Sequence, residues 1–416
     1  MRPLIPVGPS YGWVVAGTLT VLLAISHGLI GSGISVFDAA ILHDLHISRA
    51  TLKLRDVVQL FGGGLWAMAI GFAADRLGPR TVIYAGLLTL GVALFGYGYV
   101  TDVRQIYALH VLLAFAYSSC HVVVVLLVLT RWFAQRRSTA LGIILAGESL
   151  GGSILPPVIA YLIGNSGWRE SMHMLALLPV GLALLLVLLL RGKPQDFGQM
   201  PVGGASGSDI EQAAEVAADP SLRIRDYLRS GQVWLILAIG AALFYTGGGV
   251  AAHSFLYFSD RGFNPEWAAS SLSLIFVGGL VGKSCSGFLS ERWPGLGVWM
   301  AFQATMLVGV TCLTIATPLT VWPGVALFGL GWGGSYTLTQ ANVMERFRGP
   351  YLGRLAGLIV LVEGLSAGIG SFMGGLLHDI TGSYTQAYLV MTASVLLAIV
   401  LTQLLRMATL QPVPVR

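Results

Sequence analysis

The stretch SLSLIFVGGLVGKSCSGFLSER, Ser271 to Arg292, is apolar and long enough to cross a bilayer, yet it carries one full positive charge, Lys283. That lysine lies eight residues before Glu291, at the polar end of the stretch. At 1.5 Å per residue it sits roughly 12 Å inside, too deep for an easy reach to the interface. Holding a lysine there costs about 2.5–3.5 kcal/mol on insertion scales, so the position needs a reason. Gly279, Gly282, Ser286 and Gly287 surround it at helical spacing and are expected to leave room for a partner or a ligand. The bland alternative is a structural lysine paired with a carboxylate.

The rest of the chain has the same character. Of 416 residues 55% are apolar and 10% are charged, far below the ~25% charged share of soluble domains. Apolar segments of 20 residues or more fall at about 11–37, 50–74, 81–100, 104–130, 137–163 and 169–191. A second set falls at 231–259, 265–291, 297–317, 320–345, 352–378 and 384–407. Each can span about 30 Å as a helix. The expected fold is therefore an all-α integral membrane protein, twelve transmembrane helices in two six-helix bundles with pseudo-two-fold symmetry. The bundles would occupy 1–191 and 231–416, joined by a cytoplasmic linker at 192–230. That linker is polar, with a short helical pattern at Asp209–Ala218. The start of the chain lacks a basic stretch followed by a small-residue cleavage site, so the first apolar segment is expected to stay as a span.

Charge sets the topology. With both termini in the cytoplasm, seventeen of the 24 Lys and Arg lie on that side and six on the other, leaving Lys283 inside. This follows the positive-inside rule and puts both termini in the cytoplasm of a cell that carries the protein in its inner (plasma) membrane. The net charge of +5 is then topological and gives no reason to expect a nucleic-acid partner. The three cysteines, Cys120, Cys285 and Cys312, show no paired spacing, and no metal or phosphate-loop motif stands out, so no cofactor is expected. No nucleophile–base set argues for an enzyme.

The halves repeat each other. GFAADR (Gly71–Arg76) closes the second segment, and GFLSER (Gly287–Arg292) closes the eighth. ALGIILAGESLG (Ala140–Gly151) opens the fifth, and LAGLIVLVEGLS (Leu355–Ser366) opens the eleventh, which aligns Gly142 with Gly357 and Glu148 with Glu363. Repeated halves are how many secondary transporters are built, with the substrate near the midplane.

Gly71-Phe-Ala-Ala-Asp75-Arg76-Leu-Gly78-Pro-Arg80 has the form G-x-x-x-D-R-x-G-x-R in a short loop between two spans. It resembles the loop 2–3 signature of the major facilitator superfamily, and the resemblance covers essentially the whole chain. It implies a conformational gate of Gly71, Asp75, Arg76, Gly78 and Arg80, with Arg136 and Arg137 on the same side. A narrower resemblance rests on Tyr11-Gly12-Trp13 and on Arg131-Trp132-Phe133 followed by Arg136, Arg137, Ala140, Gly142 and Ile143. These look like the monocarboxylate transporter and oxalate/formate antiporter branch. That branch typically has an arginine where Lys283 stands, and the resemblance implies that Lys283 grips a substrate carboxylate as a point charge. Gly279 stands where mammalian-type carriers have an aspartate, no lysine occurs in Tyr11–Phe37, and Glu363-Gly364 stands where the oxalate carrier has lysine-glycine. One cation and one carboxylate suit a monoanion entering with a proton better than a dianion. They also suit a neutral or zwitterionic solute if the two groups neutralise each other.

The remaining candidates follow from chemistry. Glu148 and Glu363, about eleven residues into their segments, and His27 and His121 are proton-coupling candidates. Tyr117, His121, His27, Tyr245 and Tyr336 are candidates to orient the substrate with Lys283, and Trp332 stands with them. His110 and His253 lie nearer the outer ends, and Arg55 and Asp56 are expected at a solvated rim. Gly147, Gly151, Gly152, Pro156 and Pro157 are expected to make the fifth segment closely packed and then kinked. The expected function is secondary transport of a small organic monoanion, a monocarboxylate, by a monomer using alternating access and protons. An exporter of drugs or other amphipathic cations anchored on Glu148 and Glu363, and a non-transporting sensor on the same fold, are the alternatives.

Overall fold

The structure is a computed structural model describing residues 11–133, 137–190, 194, 200–202, 229–293, 296–315, 317–346 and 352–410. The pattern Asp209–Ala218 lies outside the described residues. So does Arg136, as do the side-chain environments of Gly71, Asp75 and Arg137. The described chain is helical throughout: α1 (Tyr11–His27), a π turn (Gly28–Ser32), a 3-10 turn (Gly33–Phe37), α2 (Asp38–Leu45), α3 (Arg49–Leu77), α4 (Pro79–Tyr97), α5 (Val103–Ser119), α6 (Val122–Trp132) and α7 (Arg137–Leu189). There follow α8 (Gly231–Ser259), α9 (Pro265–Arg292), α10 (Leu296–Ile315), α11 (Pro318–Arg346), α12 (Leu352–Thr381) and α13 (Thr385–Leu410). Among the described residues eight stretches are long and apolar enough to cross a membrane.

Two compact units are present. The first comprises Met1–Ile47, Val58–Glu211 and Gly262–Ser273, the second Ser48–Val57, Gln212–Arg261 and Leu274–Arg416. In the first unit α1 packs on α7, α4 on α7 and α4 on α5. In the second unit α8 packs on α12, α10 on α13 and α10 on α11. Numbered by expected segments these are the same pairings, one with five, three with six and three with four, repeated in each half of the chain.

Glycine makes the closest of these contacts possible. A Cβ at Gly151 would fall 1.9 Å from the Ala24 carbonyl oxygen, and one at Gly370 would fall 2.0 Å from that of Tyr245. Both are α1/α7-type contacts, one in each unit, and any side chain there would push backbone against backbone. The same device joins α9 to α11, where a Cβ at Gly282 would lie 2.2 Å from the Leu330 carbonyl and one at Gly333 2.1 Å from that of Gly279. The space expected beside Lys283 is therefore taken at Gly282 by the α11 backbone, while a Cβ at Gly279 would make only an ordinary contact, 3.8 Å from the Gly329 carbonyl oxygen. Gly287 alone of that set has nothing within 4 Å of a Cβ.

Helix breaks fall where single residues demand them. The first expected segment leaves the α pattern at His27, and the fourth stops at Ser119 and restarts at Val122 through an extended His121 (φ −106°, ψ −173°). Just before the second break, in the Ser118-Ser119-Cys120 run, Ser118 Oγ donates to the Gly63 carbonyl of α3 at 2.9 Å. In α7 the non-helical residue is Gly167 (φ 76°), while Pro156 and Pro157 stay within the helix. Gly78 (φ 85°) turns the chain between α3 and α4 with Pro79 at the first helical position, a conformation that favours glycine.

Candidate functional site

Two polar clusters occupy the apolar helices, one in each unit. In the first, the break at His121 swings its ring onto Tyr117, whose hydroxyl lies 3.0 Å from His121 Nε2. The two rings stack with centroids 4.4 Å apart. Glu148, buried on α7, brings Oε1 to 3.0 Å from the same Nε2. His27, at the end of α1, has its ring 6.2 Å from that of Tyr117 and 6.5 Å from that of His121. The π turn that follows lays the His27 ring over Gly31, where a Cβ would meet it at 2.8 Å. Irregular turns of this kind often mark functional positions. Four residues singled out separately in the sequence, His27, Tyr117, His121 and Glu148, therefore form one cluster.

In the second unit Lys283 Nζ lies 5.2 Å from the centroid of the Tyr336 ring, within cation–π range. Phe244, Trp332 and Tyr336 form an aromatic set, with Phe244–Trp332 centroids 4.8 Å apart edge-on and Phe244–Tyr336 5.8 Å apart. The Trp332 ring fits against Gly247, where a Cβ would stand 2.5 Å from it. One turn beyond Tyr336 on the same face of α11, Gln340 donates Nε2–H to both oxygens of buried Glu363, at 3.2 and 3.0 Å. Gly240 of α8 closes the other side, 3.2 Å from Glu363 Oε1 to an added Cβ. Glu363 is thus hydrogen-bonded to an amide and not ion-paired to Lys283. Tyr245 is half-buried on α8 and joins neither set through a hydrogen bond or ring contact among the described residues.

At the expected solvated rim, charges are buried instead, within a network whose outer members Asp260 and Asp379 are exposed. Arg55 is 0% and Lys53 1% exposed. All of the groups concerned belong to the second unit. Arg49 grips Asp260 with both guanidinium nitrogens (2.8 and 2.7 Å) and donates to the Tyr384 hydroxyl at 2.8 Å. Burial opposes its charge, but the bonds to Asp260 and Tyr384 outweigh this and raise its pKa. Asp379 accepts from the Arg49 and Ala50 amides, capping the first turn of α3. Lys53 donates to the Ala252 carbonyl at 2.7 Å, and Ser371 donates to Asp56. Since arginine only donates, the Tyr384 hydroxyl accepts from it and donates to His253 Nδ1 (2.9 Å); His253 Nε2–H then goes to the Ser371 carbonyl (2.7 Å). The burial has a packing cause: Gly368 and Gly375 of α12 let the backbone at Val57 and Arg49–Ala50 come to 3.0 and 2.9 Å of where a Cβ would stand, closer than a side chain there would allow. A pair of adjacent charges gives no sequence sign of such cover. His110 likewise is buried, 3.0 Å from the Tyr97 hydroxyl.

Around the loop motif, Arg76 lies over the Phe72 ring (4.1 Å), while Arg80 donates to the Tyr84 hydroxyl (2.8 Å) and to the Val187 carbonyl (3.0 Å), tying α4 to the end of α7. The two halves of the narrower motif meet in the first unit. Tyr11 and Trp132 rings lie 5.5 Å apart, Trp13 and Phe133 5.1 Å apart, and Tyr11 donates to the Leu189 carbonyl at 2.9 Å.

An all-helical chain with glycine-sealed helix pairs, charges held inside apolar spans and repeated pairings defines a multi-pass membrane transporter. The Major Facilitator Superfamily model matches residues 19–371, and the chain belongs to that family. It is 26% identical over 82% of its length to Monocarboxylate transporter 13 of Bos taurus, covering 75% of that protein. It is 25% identical over 92% to Monocarboxylate transporter 11 of Homo sapiens, covering 81% of that one. Among solved structures, a bacterial homolog of the human lysosomal transporter Spinster, inward-facing and occupied, superposes with TM-score 0.74 at 16% identity, over 98% of this chain and 99% of the other. The nucleoside transporter NupG matches with TM-score 0.74 at 13% identity, over 94% and 99%. These likenesses establish the fold; the family is one of transporters and not of enzymes, so a small-molecule substrate and a lipid bilayer are its surroundings.

Proposed function

We propose that the chain carries a small organic monoanion, a monocarboxylate, together with a proton, by alternating access. The observation that carries this reading is the separation of Lys283 from Glu363. Had the two paired, the site would be neutral and would favour a neutral or zwitterionic solute. With Glu363 bonded to Gln340 and the lysine ammonium over Tyr336, the positive charge addresses a substrate carboxylate and the acid is left to take a proton. The low-identity likeness to monocarboxylate transporters supports the same substrate class. His27, Tyr117, His121 and Glu148 form the second proton-handling and substrate-orienting group, and Tyr245 lines the path on α8.

The twelve-span arrangement, with bundles at 1–191 and 231–416 and a linker at 192–230, is part of the proposal. So are monomeric action, cytoplasmic termini, residence in the inner (plasma) membrane, and the gate of Gly71, Asp75, Arg76, Gly78, Arg80, Arg136 and Arg137. Export of amphipathic cations fares worse, because such a substrate would meet the Lys283 charge beside the aromatic set. The test is uptake of labelled lactate-sized acids by purified protein in liposomes. Lys283→Ala is expected to abolish it while the protein still inserts and folds; unimpaired uptake by that variant would remove the substrate assignment.

A further inference from the structure

Resting on the reading of Glu363 as a proton carrier, we infer that Gln340 is the positioning residue that lets Glu363 change protonation state inside the second unit. Glu363 is 3% exposed, so each of its states must find a hydrogen-bond partner without water. Its surroundings offer few. α8 presents Gly240, and between Gly231 and Ser259 it carries no Asp, Glu, Lys or Arg; its titratable groups are Tyr245, His253 and Tyr257. α11 presents Gln340, its Tyr336 faces Lys283 of α9, and its own Glu and Arg stand at the far end, Glu345 and Arg346. On α12 itself the charged residues Arg354 and Asp379, and His378, lie two turns or more away along the helix. Among the described residues no cation lies within ion-pair distance of Glu363, and Gln340 is the side chain that bonds it.

An amide suits this place because it has both a donor and an acceptor. With the carboxylate, Gln340 Nε2–H donates, as observed. With the acid, the amide turned about its last torsion offers Oε1 to the new carboxyl O–H. One proton enters the carboxyl, and the two N–H···O contacts from Gln340 Nε2 are exchanged for one O–H···O bond to its Oε1, so the carboxyl group keeps a hydrogen-bond partner in both states. A lysine at this place would serve only the carboxylate, and an apolar residue would serve neither state.

Two substitutions separate these cases. Gln340→Lys keeps a donor and removes the acceptor; Gln340→Met keeps the length and removes both. The readout is the ratio of proton-driven accumulation of a labelled monocarboxylate to its counterflow exchange, taken between pH 5.5 and 8 in liposomes, alongside Glu363→Gln. Loss of general packing would lower both fluxes and leave their ratio alone. The inference predicts that both Gln340 variants lower the ratio at least about tenfold and flatten its pH dependence, as Glu363→Gln does. If Glu363→Gln flattens the profile while both Gln340 variants keep it, the role of Gln340 is overturned and the proton reading of Glu363 stands. If Glu363→Gln itself leaves the profile intact, both fall.

Discussion

Glu148 and Glu363 occupy equivalent places in the two halves of the sequence, yet they have been given different company. Glu148 faces a titratable partner, His121, itself shared with Tyr117. Glu363 faces Gln340, which does not titrate. A proton arriving at the first cluster can be shared among an acid, an imidazole and a phenol. A proton arriving at Glu363 stays on that carboxyl, because its hydrogen-bonded neighbour Gln340 does not titrate. The repeat conserves the carboxylate position, and the partner decides what the carboxylate does. We propose that Glu363 sets the coupling and that the His121–Glu148 group tunes it.

The largest effect should be the loss of uptake in Lys283→Ala, which would sharpen the contrast by fixing the substrate charge in the second unit. Next comes Glu363→Gln, expected to lower the accumulation-to-exchange ratio at least about tenfold. Glu148→Gln should lower it less, since His121 and Tyr117 remain; an equal loss in both would break the asymmetry. The same flux assay reads all three. Tyr117→Phe removes one contact on His121, and its cost to uptake should stay under about tenfold, the net worth of one hydrogen bond. The outer network of the second unit gives the smallest signal, and it lies in stability. His253→Leu removes one hydrogen-bond partner each from the Tyr384 hydroxyl and the Ser371 carbonyl, at about 1–3 kcal/mol. Arg49→Ala loses a partly exposed pair worth about 1 kcal/mol or less. Thermal unfolding in detergent should rank them in that order.

Much of this was legible in the sequence, for identifiable reasons. Length and apolar runs marked the helices, since a bilayer demands both. The Glu148/Glu363 repeat appears as the same helix pairing in each unit, α1 on α7 and α8 on α12. Tyr11-Gly12-Trp13 and Arg131-Trp132-Phe133, read as two pieces of one family pattern, pack ring against ring. His27, Tyr117, His121 and Glu148 were each visible as polar groups in apolar spans. Their union depends on a break after Ser119 that no glycine or proline announces.

What escaped the sequence depends on packing across elements. Gln340 lies one turn from Tyr336, and that spacing is the signal that could have found it. Its claim on Glu363, however, is set by how α11 and α12 lie, which no local pattern records. Arg55 and Asp56 read as a solvated rim because helical periodicity does not reveal that Gly368 and Gly375 bring α12 against this end of α3. Gly282, beside Lys283, reads as space and is occupied by the α11 backbone, whereas Gly287 does leave space.

In the proposed cycle a proton moves with the substrate through Glu363. Recording lumenal pH in liposomes while a monocarboxylate is added outside, with no imposed gradient, tests this. The expected result is lumenal acidification in step with uptake for the unaltered protein, and none for Glu363→Gln although its counterflow persists. Uptake without acidification in the unaltered protein, or undiminished acidification in Glu363→Gln, would contradict it.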